Sequence, residues 1–190
     1  MLEVAFEESG VAAGTPVLLL HGFPYDAHAY DDVVPELAAA GCRVITPYLR
    51  GYGATRFLSP DTLRSGQQAV LAHDLLALMN ALRIERAVLA GYDWGGRAAC
   101  IVSALWPERA IGLVTGNGYN VHDIPRALEP LPPPDEHRLW YQYYVVRQGG
   151  AVNHARYFSG PYERRVIPRV GHNLPQEAPA EFAEAVLAVL

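Results

Sequence analysis

Short apolar runs and helix-spaced apolar positions take turns along this 190-residue chain. Val17-Leu18-Leu19-Leu20 is an unbroken hydrophobic run ending at His21-Gly22, the pattern of a strand buried on both faces. Val33, Leu37 and Ala40 then recur at helical spacing until Gly41 stops them. Arg43 to Tyr48 is β-branched and closed by Gly51 and Gly53, so a further strand is predicted there. From about Ser65 to Leu82, the positions Leu71, Leu75, Leu78 and Leu82 predict a helix with Asp74 turned away from its apolar face. Ala87 to Ala90 reads as strand, Trp94 to Trp106 as helix and Ile111 to Thr115 as strand again.

Alternation of this kind defines an α/β chain: a mostly parallel sheet with helices on both faces. Ligands of such sheets sit beyond the carboxyl ends of the strands. The polar residues that fall there are His21, Asp93, Asn117 and His172. The pattern breaks at the Pro cluster between Ala127 and His137, which regular structure cannot cross. Beyond it, Leu139 to Val146 has strand propensity and Val166 to Val170 is the expected last strand. Gln176 to Leu190 is the expected closing helix, with Phe182, Val186 and Val189 inward.

Composition narrows the function classes. At 51% hydrophobic, residues 1–190 suffice for one domain with a sizeable core. A formal charge of −5 argues against a nucleic-acid partner, and no apolar run is long enough for a membrane span. The acidic start, Met1 to Gly10, has no basic-then-apolar leader, and Cys42 and Cys100 are too few for a disulfide framework, so a cytoplasmic setting is expected. The seven His show no ligand spacing, so neither a metal nor any other cofactor is expected. Every basic residue is Arg, a bias of composition that carries no functional signal.

Candidate chemistry centres on Gly91-Tyr92-Asp93-Trp94-Gly95, between a predicted strand and a predicted helix. Small residues around Asp93 permit a tight turn that lifts one side chain above the sheet edge. A carboxylate there is ionised at neutral pH and attacks saturated carbon without a base to activate it. The resulting ester must then be hydrolysed, which needs a general base and a site for the developing oxyanion. His172, after the last predicted strand, is the candidate base. The backbone N–H groups of Trp94 and of Phe23, within His21-Gly22-Phe23-Pro24, are the candidate oxyanion site. The junction lacks G-x-G-x-x-G, which excludes a Rossmann-type nucleotide site.

Four motifs, HGFP (His21 to Pro24), RGYG (Arg50 to Gly53), GYDWGG (Gly91 to Gly96) and VGHNLPQEAP (Val170 to Pro179), resemble the α/β-hydrolase superfamily. Within it they resemble the branch of epoxide hydrolases and haloalkane dehalogenases. The resemblance implies an α/β-hydrolase fold and opening of an epoxide to a diol through an aspartyl ester. Asp93 is then the nucleophile and His172 the base, with the oxyanion held by Phe23 and Trp94. Phe23 matches the HGFP of epoxide hydrolases, whereas many haloalkane dehalogenases place Asn or Glu there. The indole of Trp94 suits halide release as well, so a haloalkane-dehalogenase-like hydrolase is the close alternative. Leu139 to Tyr144 resembles the first cap helix of epoxide hydrolases, in which a Tyr protonates the epoxide oxygen; carried over, that residue is Tyr141. The implied partner is a small apolar organic substrate.

The chain also departs from the family pattern. Where one subgroup carries the acid that orients the His, this chain has Asn117, which cannot be an anion. Asp123 and Glu163 are the nearest replacement candidates. The stretch between Asp93 and His172 is roughly a hundred residues shorter than the resemblance requires, which implies a shortened fold with the cap largely missing. Residues 120–150 are then a remnant of a cap insertion. Loss of a strand leaves an apolar edge, through which a homo-oligomer can form. From a different class comes a second alternative: a catalytically impaired, hydrolase-derived domain with a binding role or none.

Overall fold

In a computed structural model that describes residues 1–117, 165 and 167–190, the apolar runs become the interior of a five-stranded sheet. The strands are β1 (Leu2–Glu3), β2 (Phe6–Gly10), β3 (Pro16–Leu20), β4 (Arg43–Pro47), β5 (Arg56–Phe57), β6 (Ala87–Tyr92) and β7 (Ala110–Gly116). Strand order in the main sheet is β2-β4-β3-β6-β7; β2 runs antiparallel to β4 and the other pairs are parallel. The small strands β1 and β5 pair separately. The helices are α1 (Val34–Ala39), α2 (Gln68–Ala81), α3 (Asp93–Leu105), α4 (Leu174–Glu177) and α5 (Pro179–Leu187). The chain divides into two compact units, residues 1–118 with 162–190 and residues 119–161, and all these elements belong to the first.

Alternate residues of the central strands feed two cores. Leu18, Leu20, Ile45 and Leu89 meet α2 and α3 on one face. Val17, Leu19, Val44, Val88 and Ala90 meet Leu37 of α1 and Phe182 and Val186 of α5 on the other. Both faces being covered, β3 and β6 have no polar alternation, and each fully buried Leu contributes roughly 1.5–3 kcal/mol. Among the described residues no helix is long and apolar enough to cross a membrane.

The differences from the sequence-based expectation have local causes. Asp74 is turned from the α2 core but is half-buried, held by a two-pronged ion pair with Arg50 at 2.6 and 2.7 Å. That pair fixes the RGYG segment against α2, and Arg50 also donates to the Ser65 carbonyl at 2.9 Å. The helix starts at Gln68 rather than near Ser65, because Gly66 is a poor helix residue and the Ser65 hydroxyl takes the Gln67 N–H. The expected strand at 166–170 is not formed over its described residues: Pro168 and Arg169 make a turn. Pro168 has no N–H for a ladder, and Arg169 has φ 63°, a left-handed conformation foreign to strands. The expected closing helix is two, broken at Ala178, since a residue before proline is driven out of the helical region. The predicted strand at Leu139–Val146 and the cap remnant at 120–150 lie outside the described residues.

Candidate active site

Strand β6 runs without interruption into α3, and Asp93 sits at the junction with φ 49°. A non-glycine residue in the left-handed region costs about 1–3 kcal/mol and persists only where its surroundings enforce it. Here glycines make the enforcement possible. A Cβ on Gly95 would lie 2.0 Å from the Leu20 carbonyl oxygen, and one on Gly91 would lie 2.8 Å from the same atom. A Cβ on Gly22 would lie 2.5 Å from the Asp93 Cβ. The β3 end and the α3 start therefore pack backbone to backbone, and the turn stands Asp93 up at the carboxyl edge of the sheet.

Asp93 is buried, its side chain 10% exposed, and its two carboxylate oxygens have different neighbours. Oδ1 accepts the Phe23 backbone N–H at 2.9 Å. Oδ2 lies 3.6 Å from His172 Nε2. Trp94 is the second residue of α3, a position whose N–H has no partner inside its helix, and the positive end of the helix dipole faces the carboxylate. The Arg97 guanidinium lies over the Trp94 ring, 4.8 Å from its centre. Tyr92 packs edge-on against the His172 ring with centroids 6.1 Å apart. The Phe23–Pro24 peptide bond is cis and the Phe23 side chain is 43% exposed.

Of the residues singled out in the sequence, Asp93, His172, Phe23, Trp94, Gly22, Gly91 and Gly95 converge on one edge. His21 has another job. It is fully buried, and its Nε2 accepts the Leu49 N–H at 3.0 Å while Nδ1 faces the Gly22 carbonyl at 3.2 Å. An acceptor at Nε2 places the proton on Nδ1, so the ring is neutral; burial holds its pKa below the usual histidine value. This imidazole ties the β3 end to the segment after β4 and leaves no nitrogen for catalysis. Asn117 is not an anion substitute either: its Nδ2 donates to the carbonyls of Gly171 and His172 at 2.8 and 3.0 Å. Tyr141, Asp123 and Glu163 lie outside the described residues. Among the described residues no cluster of His, Cys, Asp and Glu could hold a metal ion.

A concavity of about 500 Å³ bordered by Arg83, Arg86 and Arg109 sits at the amino ends of β6 and β7, the opposite end of the sheet from Asp93. Arg109 uses its donors there on the carbonyls of Glu85 and Ile84 and on Asn80 Oδ1, which makes the concavity a structural tie. Sequence reasoning missed Glu177, whose carboxylate meets the backbone on both sides of His172. The available signal was an acid in the first turn after Asn173, a pattern of helix starts.

Comparison with known proteins places these features in a lineage. The chain is 32% identical over 155 residues to epoxide hydrolase B of Mycobacterium tuberculosis, covering 73% of this chain and 42% of that protein. It is 30% identical over 141 residues to bifunctional epoxide hydrolase 2 of Sus scrofa, covering 72% of this chain and 25% of the other. The chain thus spans less than half the length of these curated relatives. A crystal structure from Klebsiella pneumoniae, provisionally named an epoxide hydrolase, superimposes with a TM-score of 0.86 at 33% identity, covering 99% of this chain and 94% of that one. The family described as alpha/beta hydrolase fold matches residues 15–160, which takes in the whole of the sheet from β3 to β7 together with the Asp93 turn. With that extent of agreement, this chain belongs to the α/β hydrolase fold family.

Proposed function

We propose that the chain opens a small apolar epoxide to a diol through an ester on Asp93. The observation that carries this reading is the division of labour between the two Asp93 oxygens, one held by the Phe23 N–H at 2.9 Å and one turned to His172 at 3.6 Å. The epoxide hydrolases among its relatives support the substrate class.

In the first step Oδ2 attacks an epoxide carbon. One C–O bond forms, the strained ring C–O bond breaks, and the oxygen released takes a proton, the role implied for Tyr141. Oδ1 becomes the ester carbonyl oxygen. In the second step His172 Nε2 takes a proton from water, whose oxygen adds to the Asp93 carboxyl carbon. Negative charge then develops on Oδ1, where the Phe23 N–H already points and the Trp94 N–H is the second donor. Collapse breaks the bond between the carboxyl carbon and the alkyl oxygen, which takes the proton held by His172 and leaves as the diol. The second proton of the water, left on the new Asp93 carboxyl, returns to the group that protonated the epoxide oxygen, the role implied for Tyr141, and Asp93 regains its charge. Epoxide and water are consumed, one diol is made and no cofactor takes part.

Residues 120–150 are read as the remnant of a cap insertion, supported by the likeness of Leu139 to Tyr144 to the first cap helix of epoxide hydrolases. Cys42 and Cys100 are buried and not joined in a disulfide, which accords with a cytoplasmic setting. The reading is tested by intact mass and diol analysis after incubation with a small aryl epoxide, beside Asp93→Ala. An adduct of one substrate mass or diol release, absent in Asp93→Ala, is expected. Activity unchanged by that substitution, or neither product from the native chain, would overturn it.

A further inference from the structure

The imidazole of His172 can act as the base only if its short loop holds still. The loop leaves a turn at Pro168 and Arg169 and enters α4 at Leu174. Its backbone groups are taken up by two side chains from opposite sides. Glu177, at the end of α4, accepts the Gly171 N–H on Oε2 at 2.5 Å and the Asn173 N–H on Oε1 at 3.1 Å. Asn117 donates from Nδ2 to the Gly171 and His172 carbonyls at 2.8 and 3.0 Å. One carboxylate thus collects the N–H groups on either side of His172, and one amide collects the carbonyls.

The placement of Asn117 is set by the sheet. Tyr92 of β6 pairs with Gly116 of β7, so Asp93 and Asn117 are each one step past a paired position on neighbouring parallel strands. Both have a left-handed backbone, with φ 49° and 46°. The strand pair that raises the nucleophile therefore also carries the donor that holds the base. Close packing reinforces the arrangement: a Cβ on Gly116 would lie 2.6 Å from Leu174 Cδ2, and one on Gly171 would lie 2.8 Å from both Glu177 oxygens. The residue type at 117 fits this use. An amide offers hydrogens to two carbonyl oxygens, whereas a carboxylate there would oppose them with charge.

We infer that Asn117 and Glu177 are positioning residues for ester hydrolysis, acting by fixing the backbone of His172 rather than by touching substrate. This rests on the aspartyl-ester reading, in which His172 serves the second step and not the first. The two steps can be read separately, because kcat/KM reports formation of the ester and kcat its hydrolysis when hydrolysis is slow.

The test is steady-state kinetics and intact mass with a small aryl epoxide on the full chain and on Glu177→Gln, Asn117→Asp and Gly171→Ala. Each substitution is expected to lower kcat by about 10- to 100-fold, the cost of a small misplacement of a catalytic group. KM falls in proportion, kcat/KM holds within about threefold, and the Asp93 adduct accumulates. A mere loss of folded protein lowers kcat and kcat/KM together without an adduct, and that result would overturn the inference. Unchanged kcat in Glu177→Gln, or faster hydrolysis in Asn117→Asp, would overturn it too while leaving the ester reading intact. A native chain that yields neither adduct nor diol removes the ester reading and this role with it.

Discussion

Two imidazoles at the same edge of the sheet do different things because their nitrogens meet different partners. His172 presents Nε2 to Asp93, while His21 gives Nε2 to the Leu49 N–H deep in the fold. The His21 contact requires the neutral ring, and burial is the first cause of its lowered pKa, so protonation favours the unfolded chain. The stability from this group is complete above the unfolded value of 6.5 and is lost as pH falls through the lower folded value. Urea unfolding followed from about pH 7.5 down to about pH 5 should show a steeper loss for the native chain than for His21→Gln, approaching about 1.4 kcal/mol per pH unit. Equal slopes in the two proteins would contradict the neutral, buried assignment. At this scale the arrangement of residues was legible in part. That Asp93 would meet His172 and the Phe23 N–H followed from what an elbow carboxylate needs, and the contacts at 3.6 and 2.9 Å agree with it. That His21 would be structural depended on a donor, Leu49, which is 28 positions away and is brought there only by folding.

The elements show where periodicity suffices and where it fails. β3 and β6 were readable because both their faces are buried, and α2 because its leucines recur on one face. β2 was missed, since it alternates poorly and puts Glu7 and Glu8 at exposed positions; its antiparallel ladder with β4 and the Arg43–Glu8 pair at 2.6 Å are tertiary facts. The segment before His172 read as strand because Val and Ile favour it, yet Pro168 and the left-handed Arg169 override that preference. The β6–α3 junction is the opposite case, a local rule broken in the service of a site. Its geometry depends on close backbone packing, with the Gly95 position 2.0 Å from the Leu20 carbonyl oxygen for any added Cβ. Gly95→Ala must therefore push α3 away from β3, and a destabilisation of about 1–3 kcal/mol is expected together with loss of the Asp93 adduct. A urea midpoint equal to that of the native chain would show that the junction is looser than the packing indicates.

At the scale of the molecule, one edge of a mostly parallel sheet gathers Asp93 from the β6–α3 junction, the Phe23 N–H from the β3 end and His172 from the loop before α4, the proposed nucleophile, oxyanion donor and base. All three stand on a chain spanning less than half the length of its curated relatives, and nearly coextensive with the Klebsiella structure. The family was legible from four motifs because each occupies a place where backbone and site meet. An acid to orient His172 was not legible, since position 117 holds an amide whose hydrogens go to the backbone carbonyls of Gly171 and His172.

The central claim is that the Asp93 carboxylate, rather than water, attacks the substrate carbon. It is tested most directly by one turnover in water labelled with heavy oxygen, with enzyme in excess over epoxide. The diol from that turnover should carry no label, and the label should appear in the Asp93 peptide, because the diol takes its second oxygen from the carboxylate. Label in the diol, with none in Asp93, would mean direct attack by water and would contradict the account.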